Sequence, residues 1–436
     1  MNERNEDGNM KNRYLCILLM LTLIMSIVLT SCKEENKIDV NIKKPVTLTF
    51  YTFLEDGKEA EAYKEIINEF EKEHNNINIK LVADANGYNQ KIKTALESGK
   101  APDIIGLQRK DMLQYAKQGY LKDLTSFVDS NNIKDKYYGV SLGYGKFENK
   151  YYGIGDLPKT VEWFYNVDMF EKAGLSEPKN LDDLINVCNK LKNKTKTPIV
   201  LGAKDAWTIN TLLGLITVQN VSTDELIKAY TNDDKAAFQN LKGMNESIDI
   251  IDQLLKSGAI SRRCDDYNYA DSVDAFVNGK AAILPGGTWT IDKIEKMKPN
   301  GFKYKAFEYP VKFKEGGNSD YCATAIHVVT VNAKTKREKQ VMEFMEFLFS
   351  DKAQEIFAEK NGISGLKSVN KESENEVENQ VIKHLDSTNE NSIVYMDNVS
   401  NKMSEVTQER IQKMISSRKV EPSEVWDLIV EQSFVK

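Results

Sequence analysis

Gly139, Ser141 and Gly143 form a Gly-x-Ser-x-Gly motif, a spacing that is typical of a catalytic serine. In hydrolases this motif needs an apolar strand before the serine and a helix after it. The flanking segments Lys136–Tyr138 and Tyr144–Lys146 are rich in tyrosine and lysine, which predicts a loop on both sides. We therefore predict no catalytic residue and no enzymatic activity, with a surface serine hydrolase as the less favoured alternative.

Other patterns that carry chemistry are absent from the sequence. Its three histidines and five cysteines lack the spacing of a zinc site, and it contains neither a phosphate-binding loop nor a dinucleotide fingerprint. We therefore predict no metal and no cofactor. The net charge is -6, and no basic run is interleaved with aromatic side chains, which argues against a nucleic-acid partner.

A tryptophan that follows a glycine pair is the first candidate for binding. The apolar segment Ala281–Leu284 predicts a strand, Pro285, Gly286 and Gly287 predict a turn, and Trp289 comes next. A tryptophan beyond the end of a strand can line a cleft, although an isolated tryptophan more often packs in the core. In a cleft, an aromatic face would suit the C–H face of a sugar, while charged and amide side chains bind the hydroxyls.

The elements that must position such residues follow an alternating pattern. Val46–Phe53, Ile77–Val82 and Ile104–Leu107 predict strands, and Glu59–His74 and Tyr88–Ser98 predict the helices between them. These βαβ units predict an α/β fold with a mostly parallel sheet. Ligands of open α/β sheets bind beyond the carboxyl ends of the strands, which draws attention to the segments after the first and third strands.

The N-terminal segment predicts export and lipidation. Lys11 and Arg13 precede an uncharged apolar run over residues 14–30, and small residues lead from there to Cys32. This order resembles the lipobox of bacterial lipoproteins, so we predict a signal peptide over residues 1–31 and a lipid on Cys32. Plain secretory cleavage is the alternative. Residues 32–44 are polar and predict a flexible tether to the outer face of the cytoplasmic membrane.

Three further cysteines lie in the predicted mature chain, namely Cys188, Cys264 and Cys322. Their number is odd and their spacing is wide, which does not indicate a disulfide framework. Because Cys188 lies in a helical pattern and Cys322 in a strand-like one, we predict buried free thiols.

Four blocks occur in a fixed order along the chain: Ala101–Ile105, Tyr165–Leu175 with Leu181–Leu184, Phe276–Trp289, and Ala325–Val329 with Lys336–Phe349. In this order, and behind a lipobox, they resemble the family 1 extracellular solute-binding proteins, the sugar-type receptors of ABC importers. The resemblance covers essentially the whole predicted mature chain.

The resemblance implies an α/β, two-lobed periplasmic-binding-protein fold of type II with a hinge between the lobes. Residues 45–155 and 311–350 would form lobe 1, and residues 156–310 and 351–436 would form lobe 2. A solute that bridges the lobes would shift the protein towards a closed state. The implied partners are a small-molecule solute and the membrane subunits of an ABC permease, and we expect a monomer.

The resemblance also implies a set of ligand-binding residues, in which the two glycines would let the backbone approach the ligand. For Trp207, packing beneath the following helix is an equal alternative, whereas Trp163 and Trp426 are predicted to be core residues. The predicted set is Phe53, Glu55, Arg109, Asp111, Asp156, Asp205, Trp207, Gly286, Gly287 and Trp289.

The expected solute is a mono- or oligosaccharide. Some sugar receptors carry a tryptophan where Leu107 and Gln108 stand here, which argues against a long malto-oligosaccharide. The alternatives are a glycerophosphodiester, a polyamine or a metal chelate. A cleft dominated by the acidic members of the set would favour a cation, and one dominated by Arg109 would favour a phosphate.

The start of the chain generates a prediction about translation. Met1–Asn9 contains Glu3, Glu6 and Asp7, which suit a signal peptide poorly, whereas Met10 begins a compact Met-Lys-Asn-Arg start. We therefore expect initiation at Met10. Mass spectrometry of the unprocessed precursor should find no peptide from the preceding segment, and detecting one would contradict this expectation.

Overall fold

The computed structural model describes residues 45–192, 195, 197–314, 320–417 and 420–435. The predicted signal peptide and tether, with Cys32, lie outside the described residues. Contacts group Val46–Lys436 into one unit. The predicted division into two lobes, with its boundaries, stays a prediction.

Nine strands are found in the part of the chain that the structure describes. Seven of them form one sheet, and the other two, β4 and β5, form a separate hairpin. The strands are β1 (Val46–Thr52), β2 (Ile77–Ala83), β3 (Ile104–Leu107), β4 (Lys146–Phe147), β5 (Lys150–Tyr151), β6 (Gly153–Asn166), β7 (Ile283–Gly287), β8 (Tyr304–Ala306) and β9 (Cys322–Val331).

In the described part of the chain, helices lie in the segments that connect the strands and in the segment after β9. The first group is α1 (Gly57–Glu73), α2 (Tyr88–Glu97), α3 (Arg109–Lys117), α4 (Thr125–Ser130), α5 (Ile133–Lys136), α6 (Gly139–Gly145), α7 (Val167–Ala173), α8 (Leu181–Leu191), α9 (Trp207–Asn220) and α10 (Thr223–Thr231). The second group is α11 (Lys235–Gln239), α12 (Lys242–Lys256), α13 (Tyr269–Val277), α14 (Trp289–Met297), α15 (Glu338–Leu348), α16 (Asp351–Asn361), α17 (Glu376–Asp386), α18 (Asn401–Ser416) and α19 (Pro422–Ser433).

The sheet has the order β2-β1-β3-β9-β6-β7, with β8 also paired to β6. As predicted, β1 runs parallel to both β2 and β3. The prediction of a mostly parallel sheet is wrong beyond these strands, because β9 is antiparallel to β3 and to β6, and β7 and β8 are antiparallel to β6. Local periodicity identifies a strand, but it does not say that a strand from far along the chain will insert between two others.

Strand β6 joins the two halves of this sheet. Strand-like residues at Tyr151–Asp156 and Val161–Asn166 favour two separate extended runs, and the structure instead shows one 14-residue strand over Gly153–Asn166. Its first part pairs with β9, and its second part pairs with β7 and β8. Between them, Leu157 has a φ of 53°, in the left-handed region, directly before Pro158. Because the backbone is irregular at this point, the alternation of side chains is interrupted, and the sequence pattern does not predict one continuous strand.

The apolar faces of the helices, which the spacing of apolar residues in the sequence predicts, pack into the core. Tyr63 of α1 packs edge-on against Phe50 of β1 and Phe357 of α16, with ring centroids 5.3 and 5.1 Å apart. The predicted core tryptophans are confirmed, since Trp163 and Trp426 are both buried. Cys188, Cys264 and Cys322, the three cysteines that follow Cys32, are buried free thiols, as expected.

The Gly-x-Ser-x-Gly segment lies in helix α6, which continues to Gly145, so the loop predicted after the motif is wrong. Before the motif, Tyr137 and Tyr138 lie between helices α5 and α6, as the predicted loop requires. Ser141 is completely buried, and its hydroxyl has no hydrogen-bond partner among the described residues. The glycines permit close packing: a Cβ on Gly145 would lie 1.8 Å from the carbonyl oxygen of Gly153. Glycine content therefore reflects a tight tertiary contact here rather than a turn.

This contact gives a stability prediction. Gly145→Ala should lower the free energy of unfolding by about 2 kcal/mol or more, because the new methyl group meets backbone that cannot move easily. As a control, Gly279 has a φ of 67°, and a Cβ added there would meet nothing within 4 Å. Gly279→Ala should cost only about 1 kcal/mol of backbone strain. Urea unfolding of both variants checks this, and equal losses would refute it.

Candidate solute-binding site

Three aromatic side chains, Trp207, Tyr269 and Trp289, form what we call the aromatic patch. Each is the first residue of its helix, α9, α13 and α14 respectively. The Trp207 ring centroid lies 4.9 Å from that of Tyr269 and 6.3 Å from that of Trp289. Trp207 is 39% exposed and Trp289 is half-buried. The structure thus brings the two predicted tryptophans together and adds a tyrosine that the sequence argument missed.

Hydrogen bonds fix the patch in place. The Asp205 carboxylate accepts from the backbone N–H of Tyr269 at 2.8 Å, and the Tyr269 hydroxyl donates to Thr290 Oγ1 at 3.1 Å. The Lys293 ammonium lies 5.1 Å from the Tyr269 ring centroid, a cation–π arrangement. One oxygen of the predicted ligand residue Asp205 therefore has a structural role in joining α13 to the start of α9.

Gly286 and Gly287 are the last residues of β7, so the turn predicted for them is wrong. They pair with Glu162 and Val161 of β6. A Cβ on Gly287 would lie 2.1 Å from the Trp289 ring. The space that Gly287 leaves is therefore occupied by the tryptophan itself, which folds back over the end of the strand.

A polar link joins β6 to the start of α14. The Thr160 backbone N–H donates to Thr288 Oγ1 at 3.0 Å, and the two threonine hydroxyls are also 3.0 Å apart. Lys159 precedes this link and is half-buried. Burial lowers the pKa of Lys159, whereas the charges of Glu59 and Asp292 raise it. We did not predict Lys159, although a lysine inside an otherwise buried strand was a signal that could have indicated it.

The segment after β1 carries two of the predicted residues. Phe53 is half-buried and its ring centroid lies 5.8 Å from that of Tyr88 and 5.3 Å from that of His327. Glu55 is exposed, and its carboxylate accepts from the backbone N–H of Ala85 at 2.9 Å. Phe53 presents part of an aromatic ring at this strand end, while Glu55 fastens two loops to each other.

Asp156 lies in a buried hydrogen-bond network and is only 3% exposed. It accepts from the Tyr63 hydroxyl, and its Oδ2 is 3.1 Å from His327 Nδ1. The other ring nitrogen of His327 is 3.0 Å from Thr52 Oγ1. Burial and the Asp156 charge raise the pKa of Tyr63 well above its ordinary value. This group ties β6 to α1 and β9, and through His327 to β1. Its predicted role as a ligand residue stays a prediction.

Arg109 is likewise buried, at 2% exposure, rather than a free cation after β3. Its Nη1 donates to the backbone oxygens of Gly143 and Tyr144, the latter at 2.8 Å, and its Nε donates to Asn398 Oδ1 at 2.9 Å. Burial lowers its pKa to about 10. The guanidinium joins α3 to α6 and to a distant C-terminal segment. Its predicted role in ligand binding stays a prediction.

Asp111 lies in α3 and is half-buried. Its Oδ2 is inaccessible and, like Oδ1 of Asp156, has no hydrogen-bond partner among the described residues. Burial raises the pKa of Asp111 to about 6. Burial, followed by the charge of Asp111, raises the pKa of Tyr88, Tyr115 and Tyr230. Asp111 stays a predicted ligand residue, because a ligand hydroxyl can reach this oxygen only if the packing around it opens.

The described residues hold no group of three or more histidine, cysteine or acidic side chains that could bind a metal ion. Across the same residues, no helix combines the length and the apolar character that crossing a membrane requires. The arrangement offers flat aromatic surface and scattered polar groups, which suits reversible binding of an organic solute.

The α/β architecture is the type II periplasmic binding protein fold, as predicted. A probable secreted solute-binding lipoprotein from Streptomyces coelicolor aligns with a TM-score of 0.72 at 17% identity, covering 90% of this chain and 99% of that one. RafE in complex with raffinose aligns with a TM-score of 0.60 at 20% identity, covering 89% and 98%.

Sequence comparison leads to the family. This chain is 27% identical over 355 residues to the multiple sugar-binding protein of Streptococcus mutans serotype c, covering 79% of this chain and 80% of that protein. A family model described as bacterial extracellular solute-binding protein matches residues 65–384. The chain belongs to this family of solute-binding receptors of ABC transporters, and it is not an enzyme.

The buried carboxylate of Asp111 generates a pH prediction. Its folded-state pKa of about 6 exceeds the ordinary value of 3.8, so the folded protein holds this proton more tightly than the unfolded chain. The Asp111 contribution to stability therefore falls as pH rises from about 4 to about 6. Asp111→Asn should raise the free energy of unfolding by about 1 to 2 kcal/mol at pH 7, with little effect at pH 4.

Urea unfolding at both pH values measures this effect. Asp135→Asn is the matched control, because Asp135 is an exposed aspartate of α5. An Asp111→Asn variant that is no more stable than Asp135→Asn at pH 7 would refute the prediction.

Proposed function

We propose that this receptor captures a mono- or oligosaccharide outside the cell and delivers it to an ABC permease. The observation that carries the proposal is the aromatic patch of Trp207, Tyr269 and Trp289. Aromatic rings bind the C–H faces of sugars, and three at the starts of three helices form a surface that one or two sugar rings could cover. The sugar-binding relative from Streptococcus mutans and the raffinose complex of RafE support this class of solute.

Polar groups would then fix the orientation of the sugar. Lys159 shares a face of β6 with Val161, which pairs with Gly287 beneath the Trp289 ring. Hydrogen bonds to charged groups are stronger than those between neutral partners, so this side chain would select among sugars. A dissociation constant near the micromolar range, on the order of -8 kcal/mol, would allow both capture and release.

The mechanism that we propose is closure of the two predicted lobes around the sugar. The sugar would contact both lobes only in the closed state, and these additional contacts would shift the equilibrium. Strands β6 and β9 would carry the crossing between the lobes. A lipid on Cys32 would hold the receptor at the outer face of the membrane, and the polar tether would let it reach the permease.

The non-sugar alternatives lose support from the burial of charges. A phosphodiester receptor would have used Arg109, whose guanidinium is instead bonded to Gly143, Tyr144 and Asn398. A polyamine receptor would have used the acidic set, in which Asp156 is bonded to Tyr63. The sugar proposal needs neither group.

A thermal-shift screen over neutral sugars, acidic sugars, polyamines and phosphodiesters tests the proposal. A ligand that binds only the folded state raises the melting temperature. At a concentration 100 times its dissociation constant, it adds about 2.7 kcal/mol to the free energy of unfolding. We expect a carbohydrate to give the largest shift. A polyamine or a phosphodiester as the only stabilising compound would refute it.

Substitutions in the aromatic patch should weaken binding of the best sugar. Trp289→Ala and Trp207→Ala should each lower the affinity about 10-fold or more, because each removes a stacking surface. Isothermal titration calorimetry measures this. Tyr309→Ala is the matched control, since Tyr309 is 73% exposed and lies outside the patch, and it should leave the affinity unchanged. Full affinity in Trp289→Ala would show that the patch is not the site.

A further inference from the structure

Lys159 stands apart from the other buried charges of β6. Asp156 is bonded to Tyr63, and the Glu162 carboxylate is 3.0 Å from His384 Nδ1. For the Lys159 ammonium, by contrast, the described residues provide neither a hydrogen bond nor an ion pair. Of the three charged side chains of β6, Asp156 and Glu162 have partners in the protein, and Lys159 has none among the described residues.

An ammonium group in this position carries a cost. Half-burial removes part of its hydration, and no protein acceptor among the described residues replaces the lost water. This cost is visible in the pKa of Lys159, which burial lowers. A lysine with a structural role would have an acceptor in the protein. The unpartnered ammonium of Lys159 is explained if the solute supplies the acceptor instead.

The surroundings of Lys159 favour an anionic acceptor over a neutral one. The charges of Glu59 and Asp292 raise the pKa of Lys159 and the charge of Lys58 lowers it, so the formal charges of these four side chains balance. Glu59 and Asp292 lie in the first turns of α1 and α14, neither of which has a side-chain cap. Each helix start adds a partial positive charge, so the local sum is positive.

The binding geometry places this charge next to the aromatic patch. Lys159 and Val161 are two residues apart in β6, so their side chains share one face of the sheet. Val161 pairs with Gly287, and the Trp289 ring occupies the position that a Cβ on Gly287 would take on that face. A sugar ring on Trp289 would therefore lie on the same face of the sheet as the Lys159 side chain. Aromatic surface and an unpaired cation at adjacent positions match a ligand that has both a pyranose face and a negative group.

We propose that the solute is an acidic carbohydrate, whose carboxylate or phosphate binds Lys159 while its ring stacks on Trp289. This inference rests on the proposed sugar-binding function and adds the charge of the solute to it. Lys159 acts as the residue that determines specificity for the acidic sugar.

The experiment compares wild-type protein with Lys159→Met and Lys159→Arg by isothermal titration calorimetry. The ligands are galacturonate oligomers, sugar phosphates such as glucose 1-phosphate, and neutral oligosaccharides such as raffinose. Lys339→Met is the matched control, because Lys339 is an exposed lysine of α15 and its loss changes the net charge equally. The two acidic ligand series distinguish a carboxylate from a phosphate.

Wild-type protein should bind one of the acidic series more tightly than any neutral sugar. Lys159→Met should lose about 10- to 100-fold in affinity for that series, which is the loss of one charge-assisted hydrogen bond. Lys159→Arg should retain most of the affinity, and it also serves as the test if Lys159→Met fails to fold. Lys339→Met should bind as the wild type does.

Two results would overturn the inference in different ways. Tight binding of a neutral sugar that Lys159→Met leaves unchanged would refute the acidic solute and leave the sugar-binding function intact. Failure of every carbohydrate to bind, acidic or neutral, would refute the proposed function and the inference with it.

Discussion

The shared strand β6 is the constraint on which the rest of the structure depends. Its backbone pairs with β9 along the first part and with β7 and β8 along the second, so the two halves of the sheet share one continuous ladder. Every charged group on this strand is consequently carried into the protein interior or its margin. Asp156, Lys159 and Glu162 all have to be accommodated there, and each is accommodated differently.

Whether a buried charged side chain stabilises the fold or is available to a ligand depends on whether it has a hydrogen-bond partner within the protein. Asp156 is bonded to Tyr63 and lies beside His327, a residue 171 positions away, and these contacts tie β6, α1 and β9 together. Arg109 has the same character, with an acceptor on Asn398, 289 positions away. Removal of one member would leave a buried charge unpaired, which is more costly than the bond itself. Lys159 has no such partner among the described residues, and this makes it available to a solute.

The candidate site also depends on the close packing of the Trp289 ring against Gly287. Gly287 ends β7 without a side chain, and the Trp289 ring occupies the space that a Cβ would need. Trp289 can therefore fold back towards β6 while α14 begins at the same residue. Together with Trp207 and Tyr269, it turns three helix starts into one aromatic surface. Rigid elements, not a loop, hold this surface.

The sequence by itself determined the alternating β1–α1–β2–α2–β3 unit, the core positions of Trp163 and Trp426, the family and the two tryptophans of the proposed site. These features depend on local periodicity, on burial that follows from it, and on ordered motifs. Only the tertiary structure decided that Arg109 and Asp156 are buried, that Gly286 and Gly287 belong to a strand, and that Tyr269 packs against Trp207. The physical reason is that burial and hydrogen-bond partners come from residues far apart in the chain, and no local pattern records them.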